Sequence, residues 1–110
     1  MEVVAKARYV PISPGKVRPI VDAVRGKKVD DALAILRFSP SPRARVVAKV
    51  VRSASANAEN NFQMTPQDLR IVKIFVDEGR PIKRYRPKAR GRAGIILKRS
   101  SHITVIVEEE

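Results

Sequence analysis

Nine Lys or Arg residues fall between Arg80 and Arg99, in RPIKRYRPKARGRAGIILKR, with no Asp or Glu among them. The rest of the 110-residue chain carries fourteen basic and eleven acidic groups, so most of the net charge of +12 comes from this one segment. The chemistry open to such a run is phosphate neutralisation. Packed like charges repel one another and oppose a compact segment unless a polyanion balances them. Tyr85 sits between Arg84 and Arg86, where a ring can stack on a base while the guanidinium groups hold phosphates. Arg outnumbers Lys in the segment, and its planar fork grips phosphate at two points. Asn and Gln are absent from it, so the side chains that pair with adenine edges are missing. The segment suits the shape and charge of folded RNA better than the sequence of a duplex. Its RNA-binding candidates are Arg80, Lys83, Arg84, Tyr85, Arg86, Lys88, Arg90, Arg92, Lys98 and Arg99.

Other chemistry finds little support. His102 is the one histidine and sits in a strand pattern, which predicts a half-exposed sheet residue. The chain has no Cys, no HExxH and no carboxylate array with calcium-loop spacing. Asp30 and Asp31 are better explained by a helix dipole than by acid–base work. Asp77 and Glu78 are expected to be solvated or paired with a neighbouring Arg. Gly15-Lys16 and Gly26-Lys27 lack the glycine pattern of a phosphate loop. No catalytic residue, metal site or cofactor is expected, and the chain does not read as an enzyme.

The elements that must present the basic run can be read from periodicity. Val3 to Val10 alternates, with Val3, Ala5, Ala7 and Tyr9 on one face and Glu2, Lys6 and Arg8 on the other, which predicts a half-buried strand. Ser13 as cap and Pro14 at the first position start a helix. Val17, Ile20, Val21 and Val24 form its apolar side, and Gly26 stops it. Pro19 interrupts that helix by removing a backbone donor. A second helix begins near Asp30 and Asp31, buries Leu33, Leu36 and the Ala and Ile between them, and ends at Ser39-Pro40-Ser41-Pro42. A third runs from about Arg43 to Asn60. Val46, Val47, Val50, Val51, Ala54 and Ala58 form its stripe, with Arg45, Lys49 and Arg52 on one basic face.

Leu69 to Val76 and Ile103 to Val107 are rich in β-branched residues and predict strands. Antiparallel pairing of these two would bring Gly79 near Ser100 and put a hairpin tip at Lys88 to Arg92. Each leg of about ten residues would then reach ~30 Å. The plainer alternative is a solvated linker. Against it stand the flanking strands, Tyr85, and the apolar Ile82, Ile95, Ile96 and Leu97. Pro81 and Pro87 also reduce the entropy lost on ordering. Glu108 to Glu110 is expected to fray. SASANAENN at 53–61 suits either a tightly packed helix end or close RNA approach. Lys16, Arg18 and Arg25, together with Lys6 and Arg8, are expected to make a second basic patch.

Length predicts one domain, residues 1–110. No apolar run approaches the ~20 residues of a membrane span, and MEVVAKARYV lacks the apolar stretch of a signal peptide. The basic balance admits nucleic acid or an anionic membrane surface. Two prolines, Pro81 and Pro87, and weak helical periodicity in the basic segment argue against the membrane.

Several segments resemble one family. They are SPGKVRPIVDAVRGK at 13–27, VDDALAIL at 29–36, SASANAENN at 53–61, VDEGRPIKRYRPKARGRA at 76–93 and ILKRSSHITV at 96–105. In order and over nearly the full length, they are similar to the bacterial large-subunit ribosomal protein numbered twenty-two. Gly15, Pro19 and Phe62 depart from that family's pattern. The resemblance implies an α+β fold, with three helices packed on a three-stranded antiparallel sheet and a long protruding β-hairpin arm at about 80–99. It implies a structural, cytoplasmic constituent of the ribosome that binds 23S ribosomal RNA and aids subunit assembly. The tip residues Lys88, Ala89, Arg90, Gly91 and Arg92 would line the peptide exit tunnel. The implied partners are 23S ribosomal RNA, neighbouring large-subunit proteins and the nascent peptide, with the free protein a monomer. A competing expectation is an architectural DNA protein with β-arms, for which Pro87 would be the minor-groove wedge. It would need a dimer interface, for which the sequence offers no spare apolar surface.

Overall fold

Among the described residues five strands divide between two sheets, and the division falls at Gly79 to Pro81. The computed structural model describes residues 2–87, 91 and 93–109. In chain order the elements are β1 (Glu2–Val10), α1 (Pro14–Val24), α2 (Val29–Phe38), α3 (Arg43–Phe62), a short 3-10 turn (Pro66–Asp68), β2 (Leu69–Glu78), β3 (Ile82–Pro87), β4 (Ala93–Lys98) and β5 (Ser101–Glu109). The body sheet has the order β1-β5-β2 and is antiparallel throughout. β3 and β4 form a separate antiparallel pair. The molecule measures 62 × 27 × 17 Å.

The three helices cover one face of the body sheet. Their buried side chains include Val17, Val21 and Val24 from α1, Val29, Ala32 and Leu36 from α2, and Val47, Val51, Ala54 and Ala58 from α3. They meet Val3 and Ala5 of β1, Ile103, Val105 and Val107 of β5, and Leu69, Ile71, Ile74 and Val76 of β2 in one core. Small Ala residues along α3 let that helix approach its neighbours closely. The Ala54 and Ala58 positions of SASANAENN are therefore packing positions, while Ser53, Ala56, Glu59, Asn60 and Asn61 stay exposed.

Two bulges set which side chains enter the core. On β1, Ala7 pairs with Ile103 and Val10 with Ser101, so Arg8 and Tyr9 together oppose His102. One extra residue reverses the alternation. Val10 is buried, and Tyr9, expected inside, is 63% exposed with a left-handed φ of 55°. The Tyr9 amide donates to His102 Nδ1 at 3.0 Å, and the two rings meet edge to face with centroids 4.7 Å apart. On β2 the register shifts between Ile71 and Lys73, which explains burial at 69, 71, 74 and 76 in place of strict alternation.

The helix ends differ from expectation in detail. Ser13 occupies the N-cap of α1, but its hydroxyl makes no capping bond. Its carbonyl instead accepts from the Lys16 amide at 3.1 Å. α1 continues through Pro19. Ile35 of α2 is exposed rather than buried, because the inward side of that helix is taken by Val29, Ala32 and Leu36. α3 continues two residues past Asn60, to Phe62. There Gln63 adopts a left-handed φ of 55°, and the Met64 amide closes on Ala58 O at 3.1 Å. Glu108 and Glu109 are also more ordered than expected, and Glu110 lies outside the described residues. Glu108 pairs in the sheet with Glu2 and Arg70, and Glu109 Oε2 accepts from the Thr65 amide at 2.8 Å.

β2 is an edge strand, and its open side is covered. Gly26, with φ of 78°, turns the chain after α1 so that Lys27 O accepts from the Ile71 amide at 2.9 Å and Lys28 bridges to Arg70. Farther along, Arg25 Nη2 and Nε donate to Ile74 O at 2.9 and 3.3 Å, and Arg18 Nη2 reaches Val76 O at 3.5 Å. Covering free carbonyls in this way blocks strand addition.

Candidate nucleic-acid interface

The last body pair is Glu78–Ser101, and the first arm pair is Ile82–Lys98. Gly79, Arg80 and Pro81 thus stand against only Arg99 and Ser100. Three residues facing two, with Pro81 lacking a donor, break the ladder and start a new sheet. The Gly79 amide donates to Ser100 O at 2.9 Å across the junction between the two sheets. This is the juxtaposition expected from the sequence.

Within the arm, Lys83 pairs with Leu97, Arg84 with Ile96, Tyr85 with Ile95, Arg86 with Gly94 and Pro87 with Ala93. The register sets the basic and aromatic residues of β3 opposite an apolar and glycine run on β4. The six paired positions of each strand span ~20 Å. Of the expected tip, Gly91 has φ of 72° and is exposed. Lys88, Ala89, Arg90 and Arg92 lie outside the described residues.

At the arm's root, Lys16, Arg43, Lys98 and Arg99 line a groove of about 640 Å³ with Pro11, Ile12 and Ser13. Arg99 also pairs with Glu78 at 3.2 Å, so of the two expectations for that carboxylate, solvation or an Arg partner, it has the Arg partner while staying half exposed. Arg18 shares a smaller hollow with Ser13, Pro14, Gly15, Glu78 and Arg99. Arg80 is exposed beside Gly79.

The five cations expected to form one body patch occupy different places. Lys16 lies in the root groove. Lys6 and Arg8 line a separate groove with Tyr9, Val46 and Lys49, between β1 and α3. They also border a hollow with Asp77, His102 and Thr104 on the sheet face away from the helices. Pro11 lines both the root groove and the β1–α3 groove, so the two adjoin. Arg25 is bound to Ile74 O and to Asp22 at 2.7 Å. Arg43 was not singled out by the sequence reading. Its signal was available: a cation opening a helix, where the dipole favours an acid.

Among the described residues no cluster of His, Cys, Asp or Glu is arranged to hold a metal ion. His102 is engaged with Tyr9 in the sheet, as a structural histidine would be. No described helix is long and apolar enough to cross a membrane.

The family model described as ribosomal protein L22p/L17e matches residues 5–108. The large ribosomal subunit protein uL22 of Dehalococcoides mccartyi is 60% identical over 109 residues, covering 99% of this chain and 100% of the relative. The uL22 proteins of Pelotomaculum thermopropionicum and Roseiflexus sp. are 57% and 55% identical, over 100% and 99% of this chain and 97% and 96% of their own lengths.

Proposed function

Because the chain belongs to the ribosomal protein L22p/L17e family, and is thereby a structural, non-enzymatic constituent of the large ribosomal subunit, we propose that it binds 23S ribosomal RNA chiefly through its arm. The observation that carries this reading is the segregation of charge. Nine cations and no anion fall in residues 80–99, and that segment forms its own two-stranded sheet beyond Gly79. Lys83, Arg84, Tyr85 and Arg86 contact RNA along one leg. Lys98, Arg99 and Arg80 hold it at the root, where Lys16 adds a further cation. Lys6, Arg8, Arg18 and Arg25 contribute from the body, the last two while also covering the β2 edge.

In this reading the tip, Lys88 to Arg92, lines the exit tunnel and meets the nascent peptide, and the free protein is a monomer. By holding several RNA segments against one rigid body it aids assembly of the subunit. Work in the ribosome places it in the cytoplasm.

Binding to 23S fragments across a salt series tests the proposal. About six to nine phosphate contacts give a log–log slope of roughly −4 to −8. A slope near zero, or equal binding to duplex DNA, would defeat it. The second comparison also addresses the architectural DNA alternative.

A further inference from the structure

Helix α3 breaks a rule that α2 obeys. α2 opens with Asp30 and Asp31 and closes with Arg37, so its charges follow the helix dipole. α3 has no acid in its first turn and opens on Arg43 and Arg45, cations at the positive end of the dipole. Lys49 and Arg52 extend the run, so residues 43–52 hold four cations and no anion.

Arg45, Lys49 and Arg52 are all exposed. Their spacing makes a straight ridge in which neighbouring like charges repel. None of the three makes an ion pair with another described residue. The free fold is weakened by this arrangement, and a polyanion laid along the ridge reverses the sign of both the dipole and the pairwise contributions.

One flank of the ridge is a hollow of about 430 Å³ between α2 and α3. Arg37, Ser39, Arg45 and Arg52 line it, over the buried Leu36 and Ala48. Between Arg37 and Ser39 in sequence, Phe38 is 83% exposed, more than any other large apolar residue described.

We infer that this α2–α3 face is a second RNA site, separate from the arm. Phosphates of an unpaired strand lie along Arg45, Lys49 and Arg52, Arg37 closes the hollow, and an unstacked base rests on the Phe38 ring. An exposed phenyl that follows Arg37 in the chain supplies, together with the ridge cations, the combination that single-stranded RNA uses, with phosphates on cations and bases on aromatic faces. An acidic protein segment would use the cations but has no comparable need for the ring. That the polyanion is RNA rests on the proposed ribosomal function.

The test uses the full chain and 23S fragments, and compares three variants with the parent. The first replaces the ridge with Arg45→Gln, Lys49→Gln and Arg52→Gln, which keeps helix propensity. The second is Phe38→Ala. The third, Arg84→Gln with Arg86→Gln, reports on the arm. The ridge variant is expected to flatten the log–log salt slope by about 2 to 3. Phe38→Ala is expected to weaken binding about tenfold. A photoreactive phenylalanine at position 38 should cross-link to RNA in reconstituted subunits. An unchanged slope in the ridge variant, with a flattened slope in the arm variant, overturns this inference and leaves the arm's role standing. Cross-links from position 38 to protein alone also overturn it, assigning the face to a protein neighbour. A parent slope near zero removes the ribosomal RNA reading and this inference together.

Discussion

The amide of Gly79 donates to the carbonyl of Ser100 across 2.9 Å, and a methyl group at position 79 would fall on the Ser100 hydroxyl. A side chain at position 79 therefore requires the Ser100 hydroxyl to turn away and the Ser100 backbone, 3.3 Å from the added carbon, to give slightly. This joint is also where the body sheet ends and the arm sheet begins.

Gly79→Ala should therefore disturb the joint more than the core. We expect a loss of about 1–3 kcal/mol from overpacking. Thermal unfolding measures it, and the double variant with Ser100→Gly should recover much of the loss. Full stability in the single variant would mean that Ser100 can move aside freely.

Two adjacent serines should respond oppositely to truncation. The Ser100 hydroxyl is buried and finds no hydrogen-bond partner among the described residues. The buried Ser101 hydroxyl donates to the Ile12 carbonyl, tying the β1–α1 connection to β5. Ser101→Ala leaves that carbonyl unsatisfied and should cost about 1–3 kcal/mol. Ser100→Ala should be neutral or stabilising by up to about 1 kcal/mol. Denaturant midpoints at constant m-value distinguish the two, and equal losses would contradict the assignment.

Arg25 holds the β2 edge through two donors on Ile74 O. Arg25→Met keeps the aliphatic stem and removes both bonds. A loss of about 1 kcal/mol, or roughly 4–8 °C in Tm, is expected. Arg25→Lys should recover only part, because an ammonium group does not reproduce the fork. Complete recovery with Lys would show that charge, not geometry, matters there.

Replacing residues 88–92 by Asn-Gly should leave the body's melting within about 0.5 kcal/mol of the parent, since the flanking strands β3 and β4 pair apart from the body sheet. Val51→Asp is the contrasting control. Val51 is fully buried on α3, and an unpaired carboxylate there should abolish cooperative folding. Circular dichroism melts read both. If the tip replacement unfolds the body, the arm and body are not independent in the way the split sheet suggests.

Much of this architecture was legible in the chain. Helical spacing located α1, α2 and α3, because an amphipathic stripe needs only residues three and four apart. The basic arm was legible for a similar reason: charge density is a local property, and flanking β-branched runs indicated where its ends would meet. The burial of Tyr9 was misread because alternation was assumed unbroken. A bulge is invisible until the partner strand is known, and the residue opposite Arg8 and Tyr9 is His102, ninety-odd positions away. Ile35 was misread because α2 looked apolar on more than one side, and only its packing against α3 and β2 selects the buried one.

The basic residues show the same division. Their number and clustering in 80–99 already pointed to a polyanionic partner, since neutralising repulsion requires nothing about the fold. Which body cations stand together could not be read that way. Lys16 joins Arg43, Lys98 and Arg99 only because the start of α1, the start of α3 and the root of the arm converge. Arg18 and Arg25 turn to the β2 carbonyls only because α1 lies along that edge. Periodicity and charge act between near neighbours in the chain, whereas these groupings arise from contacts dozens of residues apart, which exist only once the helices have closed over the sheet.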